Sequence, residues 1–302
     1  MLNVKAPFVL GFQITGKCTL NCSYCYAQNV VCKNLPYDKA MVIAQEIIDL
    51  GVFSISIEGG EPLLHPKWFE ITKLFLEAGL EVAVLTNGTI CDNQTIDYFV
   101  KLNKKSDLFT IQVSLDSDNY EINDLTRGKG KQVLDNLIKM IENGLEPVLA
   151  TVVSSKNINN IFRMVDNLSS KIKKFHFMNI MPISSGLTRI IDFTPSKNEL
   201  DVFWSELFSY SKNHPELSIS TPYSITNCDF GDGIFQCKGC TAGTTRATIS
   251  PDAKLLPCGL CPEWIIGDLN KNSFSDIWQS EKAKILRELS KPPCKISKPI
   301  WN

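Results

Sequence analysis

Cys18, Cys22 and Cys25 stand within eight residues, in the stretch Thr15-Gly16-Lys17-Cys18-Thr19-Leu20-Asn21-Cys22-Ser23-Tyr24-Cys25-Tyr26-Ala27. Three thiolates so crowded can hold one iron–sulfur cluster. Four irons need four ligands, and this loop offers three. One iron is then left for a ligand that is not protein, and an open metal position separates a catalytic site from a closed structural one. A second concentration of cysteines lies at the other end: Cys228, Cys237, Cys240, Cys258, Cys261 and Cys294, with only Cys32 and Cys91 elsewhere. Cys237-x2-Cys240-x17-Cys258-x2-Cys261 has the two close pairs of a zinc ribbon, which would make a closed tetrahedral site.

The elements that must position these groups follow from hydrophobic patterning. Phe8–Ile14, Phe53–Ile57, Glu81–Leu85, Leu108–Leu115, Glu146–Val153 and Lys174–Met181 are short apolar runs suited to buried parallel strands. Between them lie helical patterns, such as Val133, Leu137, Met140 and Ile141, and the stripe Leu200, Phe203, Trp204, Leu207 and Phe208, which reads as core packing. Asp38 is the expected N-cap of the helix after the cysteine loop, and Phe274–Leu289 reads as one helix near the end. Six strand–helix units by about Lys212 are too few for a closed eight-unit barrel, so the fold expected is α/β, a partial (β/α)6 TIM-like barrel over residues 1–215. A small Cys-rich domain over 216–302 follows, where Cys, Gly and Pro become frequent. An open doubly wound sheet is the alternative.

The totals exclude several classes. The 302 residues suffice for a full core, and 44 % hydrophobic with 21 % charged residues is ordinary globular composition. A formal net charge of −1 argues against nucleic acid or an anionic membrane as partner. No signal peptide and no apolar run long enough to span a membrane is present. Eleven cysteines in so long a chain read as metal ligands in a reducing, cytoplasmic setting, not as a disulfide scaffold. His65, His176 and His214 form no ligand spacing and are read as structural; Cys32 and Cys91 are read as small core or surface residues.

The spacing Cys18-x3-Cys22-x2-Cys25 after strand one resembles the radical S-adenosylmethionine (radical SAM) superfamily. Further motifs follow in order: Glu58-Gly59-Gly60-Glu61-Pro62 after strand two, Leu85-Thr86-Asn87-Gly88 after strand three, and Gln112-Val113-Ser114-Leu115-Asp116 with Thr126-Arg127-Gly128 around the end of strand four. The resemblance implies a SAM-binding [4Fe–4S] cluster on Cys18, Cys22 and Cys25, and reductive cleavage of SAM to a 5′-deoxyadenosyl radical that abstracts a hydrogen atom. It implies that Gly59 and Gly60 let backbone approach the methionine amino group, that Glu61 adds negative charge there, and that Ser114 and Asp116 face the ribose. Tyr24 takes the aromatic position near adenine, and Arg127 the SAM carboxylate.

The segment from Cys240 to Cys258, followed by Ile266-Gly267-Asp268-Leu269 and Phe274-Ser275-Asp276-Ile277-Trp278, resembles the SPASM and Twitch families. That implies one auxiliary [4Fe–4S] cluster held by four of Cys237, Cys240, Cys258, Cys261 and Cys294, with Cys228 a weaker candidate. Ala253 stands where those families usually have Gly, so the turn there is expected to differ. The resemblance further implies a peptide substrate and a low-potential electron donor of flavodoxin or ferredoxin type. Only 17 residues precede Cys18, so no leader-binding domain is expected in front, and a separate peptide-recognition protein is a candidate partner. A small-molecule dehydrogenase or cofactor-biosynthesis enzyme is the second reading, and a non-catalytic iron–sulfur or zinc scaffold the third. No catalytic acid or base can be named before a substrate is placed.

Overall fold

A computed structural model describes residues 5–180, 190–221, 241–260, 262 and 264–289. Six of its strands follow the apolar runs: β1 (Val9–Thr15), β2 (Ser54–Gly59), β3 (Glu81–Thr86), β4 (Phe109–Ser114), β5 (Val148–Val153) and β6 (Lys174–Asn179). They lie parallel in sequence order. The helices that cross between or after them are α1 (Tyr37–Asp49), α2 (Trp68–Glu77), α3 (Asn93–Lys105), α4 (Tyr120–Asp124), α5 (Gly130–Glu142), α6 (Ile161–Leu168) and α7 (Lys197–Asn213). This is the expected partial (β/α)6 barrel. The sheet is not closed.

Strand alternation divides each strand between two environments. Leu10, Phe12 and Ile14 of β1, Ile55 and Ile57 of β2, and Phe175 and Phe177 of β6 are fully buried against the helices. Val133, Leu137 and Met140 of α5, and Phe203, Trp204 and Leu207 of α7, are buried as their spacing predicted. The alternate residues, including Gln13, Ser54, Ser56, Glu58, Gln112, Ser114 and His176, face the lumen. A closed barrel fills this space with layers of branched apolar side chains. Here the lumen wall carries polar side chains on β1, β2, β4 and β6 beside apolar ones on β3 and β5.

The sheet extends beyond the six expected strands. β7 (Ser218–Ser220), which lies after residue 215, pairs in parallel with β6. At the opposite edge β8 (Arg246–Ile249) pairs in parallel with β1 and continues into an antiparallel hairpin with β9 (Lys254–Leu256) and β10 (Gly267–Asp268). The ten-stranded order is therefore β10-β9-β8-β1-β2-β3-β4-β5-β6-β7. The hairpin carrying Cys258 is built directly onto the barrel sheet.

Two local expectations are corrected. The N-cap of α1 is Pro36, with Asp38 inside the first turn; proline fixes the φ the chain needs on entry, and the carboxylate favours the positive end of the helix without capping it. The single helix expected over Phe274–Leu289 is broken at Ser280, whose extended backbone (ψ 157°) separates α8 (Phe274–Gln279) from α9 (Glu281–Leu289). Ser280 then accepts from the Ala283 amide, so the second helix starts on its own side-chain cap. Phe274 and Trp278 of α8 are fully buried, and the Phe274 amide donates to Glu46 of α1 at 2.5 Å.

The β8–β9 turn keeps its form despite the missing glycine. Ala253 adopts the left-handed conformation at φ 59° and is buried. A β-branched residue tolerates this conformation least. Ala253→Val should therefore lower stability by about 1–3 kcal/mol, read as a lower denaturation midpoint, while Ala253→Gly should keep the turn.

Candidate active site

The loop carrying Cys18, Cys22 and Cys25 is tied down by the ends of three strands. From β2, the Gly60 amide donates to Thr15 carbonyl oxygen at 2.8 Å and the Glu61 amide to that of Lys17 at 2.7 Å. A Cβ on Gly59 would lie 2.0 Å from the Thr15 carbonyl oxygen, and one on Gly60 2.2 Å from that of Lys17. The two glycines thus make room for the protein's own cysteine loop. From β3, Asn87 Nδ2 donates to Thr19 Oγ1 at 3.0 Å and lies 3.5 Å from Cys18 Sγ. Beyond β4, the Thr126 carbonyl accepts from the Ser23 amide at 2.8 Å.

Asp116 is the centre of the third anchor. It is buried, and its Oδ2 accepts from the Tyr24 hydroxyl and from Thr126 Oγ1 (2.8 Å). Its Oδ1 accepts from the Val152 amide at 3.1 Å and pairs with Arg127 Nε at 2.9 Å. The Arg127 guanidinium also lies over the Tyr24 ring, 5.4 Å from its centroid. Burial alone would lower the Arg127 pKa, but the Asp116 charge outweighs it and holds the guanidinium above its ordinary value. Burial, with the Asp116 charge and hydrogen bond, pushes the Tyr24 phenol up.

Glu61 is also fully buried. Its carboxylate accepts from Asn87 N (2.7 Å), Thr86 Oγ1 (2.8 Å) and Leu63 N (3.2 Å), binding the end of β2 to the end of β3. Burial still dominates and raises its pKa to about 7. Ser114 is half-buried on the lumen wall. Thus Tyr24, Asp116 and Arg127 meet in one cluster and Gly59, Gly60 and Glu61 in a second, on either side of the cysteine loop.

Cys22 is buried, Cys25 half-buried and Cys18 exposed. The three are close enough to interact: burial pushes the Cys22 thiol up to about 11, Arg127 opposes this, and Cys25 and Cys18 add to it. Among the described residues, no three His, Cys, Asp or Glu side chains converge as they would around a single metal ion. A bound metal would deprotonate the thiols, as metal thiolates require.

Of the second cysteine group only Cys258 is described, half-buried after β9; Cys228, Cys237, Cys240, Cys261 and Cys294 lie outside the described residues. Cys258 and Cys25 both act on Tyr26, whose pKa is raised chiefly by Glu58 and then by burial. Among the described residues the histidines join no group of three or more potential metal ligands. His65 is buried, with Nδ1 accepting from the Lys67 amide at 3.1 Å, so Nε2 donates to Leu35 carbonyl oxygen at 2.8 Å. His176 meets Ser220 Oγ at 2.8 Å. Cys91 is buried and Cys32 exposed.

Sequence reasoning passed over Glu58, Gln13, Tyr26 and Thr248. They gather in the lumen beneath the cysteine loop. A Cβ on Gly11 would lie 2.4 Å from Glu58 Oε1 and 3.1 Å from Thr248 Oγ1, and one on Gly259 3.3 Å from Gln13 Nε2. The available signal was the strand period: Gln13 and Glu58 are polar residues at lumen-facing positions of otherwise apolar strands.

An incomplete parallel barrel with a three-cysteine loop anchored at its strand ends is the architecture of a radical-generating iron–sulfur enzyme. The radical SAM superfamily model matches residues 12–178, more than half of the chain, and an iron–sulfur cluster-binding domain model, SPASM, matches residues 240–297. The chain belongs to the radical SAM superfamily and is an enzyme of that class with a C-terminal SPASM domain. Its cofactors are SAM, a SAM-binding [4Fe–4S] cluster and an auxiliary [4Fe–4S] cluster. It is similar to the AdoMet-dependent heme synthase of Methanosarcina barkeri, 27 % identical over 95 % of this chain and 86 % of that protein. It is also similar to the subtilosin biosynthesis protein AlbA of Bacillus subtilis, 25 % identical over 96 % of this chain and 66 % of that protein. Among solved structures, SuiB of Streptococcus suis bound to S-adenosylmethionine shares the fold with a TM-score of 0.79 at 20 % identity, covering 97 % of this chain and 71 % of SuiB.

The Asp116–Arg127 pair is nearly dry, with side-chain exposures of 0 % and 9 %. Removing one partner leaves a buried charge uncompensated. Asp116→Ala should cost about 3–5 kcal/mol and release Tyr24 and Thr126 together. A denaturant titration checks the first, and a drop in iron retained by the N-terminal site checks the second.

Proposed function

We propose that this enzyme modifies a ribosomally made peptide, by crosslinking, oxidation, epimerisation or excision. Cys18, Cys22 and Cys25 would hold the SAM-binding cluster. Tyr24, Gly59, Gly60, Glu61, Ser114, Asp116 and Arg127 would form the SAM site, Glu61, Asp116 and Arg127 largely by fixing the loops around it. Four of Cys237, Cys240, Cys258, Cys261 and Cys294 would hold the auxiliary cluster. Residues 1–215 would act as the radical domain and 216–302 as the auxiliary domain. When bound, the reduced cluster and SAM supply a 5′-deoxyadenosyl radical that takes a hydrogen atom from the substrate.

The observation that carries this reading is the anchoring of the three-cysteine loop by the ends of β2 and β3 and the turn after β4. A scaffold protein would not need those strand-end motifs. The peptide substrate draws support from relatives: AlbA serves bacteriocin biosynthesis, and SuiB has been captured with its precursor peptide SuiA. The polar side chains of the lumen wall, Gln13, Ser56, Glu58, Gln112 and Ser114, suit a substrate with many hydrogen-bonding groups. The heme synthase relative favours a second reading, a small-molecule substrate in the same lumen. A flavodoxin- or ferredoxin-type donor would supply the electron, a separate protein could deliver the peptide, and the setting would be the cytoplasm. Among the described residues no helix is long and apolar enough to cross a membrane.

Anaerobic reconstitution tests the reading. The protein should take up about eight irons, four per cluster, and form 5′-deoxyadenosine with dithionite and SAM. Cys22→Ala should lose about half the iron and all SAM cleavage. Four irons with one zinc would replace the auxiliary cluster, and absence of 5′-deoxyadenosine would reject the enzyme reading. Peptides from short reading frames beside the gene should stimulate cleavage and change mass; stimulation by small molecules alone would favour the second reading.

A further inference from the structure

Glu58 sits on the lumen face of β2, one residue before the glycine pair. Among the described residues no hydrogen bond or ion pair reaches its carboxylate, which is half-buried in the lumen wall. Every other carboxylate of the site is saturated: Glu61 accepts three hydrogen bonds, and Asp116 accepts three and pairs with Arg127. Burial raises the Glu58 pKa to about 7, and Arg246 at the start of β8 opposes that only in part. A partly desolvated acid without a protein partner gains from any cation that reaches it.

The surroundings make room for that acid. Gly11 lies on β1 two residues before Gln13, the register partner of Glu58, and has an ordinary backbone conformation, so no turn requires glycine there. Its missing Cβ leaves the space that Glu58 Oε1 occupies, 2.4 Å from where the carbon would be. Thr248, Gln13 and the Tyr26 hydroxyl complete a polar wall around the carboxylate. Gly59 and Gly60 pack against the cysteine loop, whereas the carboxylate lies over Gly11, nearer the start of β1 and away from that loop.

We propose that Glu58 is the specificity-determining residue of the lumen, where its carboxylate binds a cationic nitrogen of the substrate, an amine or a guanidinium. This rests on the reading of the lumen as the substrate chamber. A cation at hydrogen-bond distance would favour the ionised acid and supply the missing charge-assisted bond. The substrate class is thereby narrowed to peptides with a lysine or arginine side chain, or a free amine, next to the reacting position.

The test uses the reconstituted, SAM-loaded and unreduced protein, so it does not depend on radical chemistry. Two probes of equal side-chain length differ in the terminal group, ammonium or methyl: Nα-acetyl-lysine amide and the Nα-acetyl amide of 2-aminoheptanoic acid, titrated by calorimetry. Wild type should bind the lysine probe at least ~10-fold more tightly, the ratio expected of one charge-assisted bond. Glu58→Gln should bring the two probes to near equality. Gly11→Ala, which leaves the acid in place but fills its space, should also weaken the lysine probe. An equal response of wild type to both probes, or a response to neither, overturns the proposal even if the variants do not fold. A loss of SAM affinity in Glu58→Gln that matches its loss for lysine also overturns it, because the carboxylate would then serve the cofactor. Absence of 5′-deoxyadenosine after reduction would reject the enzymatic reading while leaving the charge preference measurable.

Discussion

Asp116 carries a charge that the protein interior cannot solvate, and three segments converge to satisfy it. Tyr24 comes from the cysteine loop, Thr126 and Arg127 from the turn after β4, and the Val152 amide from β5. The Asp116 amide and carbonyl are taken by Asn123 of α4 and by Asn157, ahead of α6. Each partner is held to its place by the same buried carboxylate, so the arrangement is cooperative. The cysteine loop has no regular structure of its own beyond one short 3-10 turn. Its shape is imposed by these contacts and by the backbone bonds to the end of β2.

The sheet order explains how the two cysteine-rich ends of the sequence come together. Parallel pairing of β8 with β1 sets Thr248 beside Gly11 and Ile249 beside Phe12. The β8–β9 hairpin then delivers Cys258 to the neighbourhood of Tyr26, the residue after Cys25. Packing of Phe274 and Trp278 onto the barrel, and the 2.6 Å Lys254–Asp268 pair between β9 and β10, hold the hairpin in that register. Distance along the chain is replaced by one hydrogen-bonded sheet edge. An auxiliary cluster held at Cys258 would therefore be fixed relative to the N-terminal site by backbone pairing.

Much of this was legible in the sequence, for physical reasons. Strands β1 to β6 have apolar residues on their helix-facing side strong enough to mark them, and the helix stripes on α5 and α7 mark buried faces. The cysteine spacing and the strand-end motifs singled out loops that the structure ties together. What the motifs did not disclose was the partner of each residue. Glycines 59 and 60 read as space for a ligand, and the space is filled by Thr15 and Lys17 backbone. Arg127 read as a ligand for a carboxylate, and Asp116 holds it. β7 has three residues, too few for a pattern, and the pairing of β8 with β1 is a contact across more than two hundred positions that no local period encodes. Ala253 read as a changed turn, yet the hairpin's pairing on both sides keeps the turn and makes alanine adopt it.

Glu58 and Glu61 show how little a shifted pKa says alone. They lie three residues apart, and burial raises both to about 7. Glu61 points toward β3, where a hydroxyl and two amides meet it, and its role is to join two strand ends. Glu58 points into the lumen, where nothing of comparable strength meets it. Barrels fill the middle of the lumen with layers of branched side chains and leave their chemistry to the C-terminal ends of the strands. Glu58 stands one residue before the end of β2, among polar neighbours and, among the described residues, with no hydrogen-bond partner, so its carboxylate is available to a group that enters.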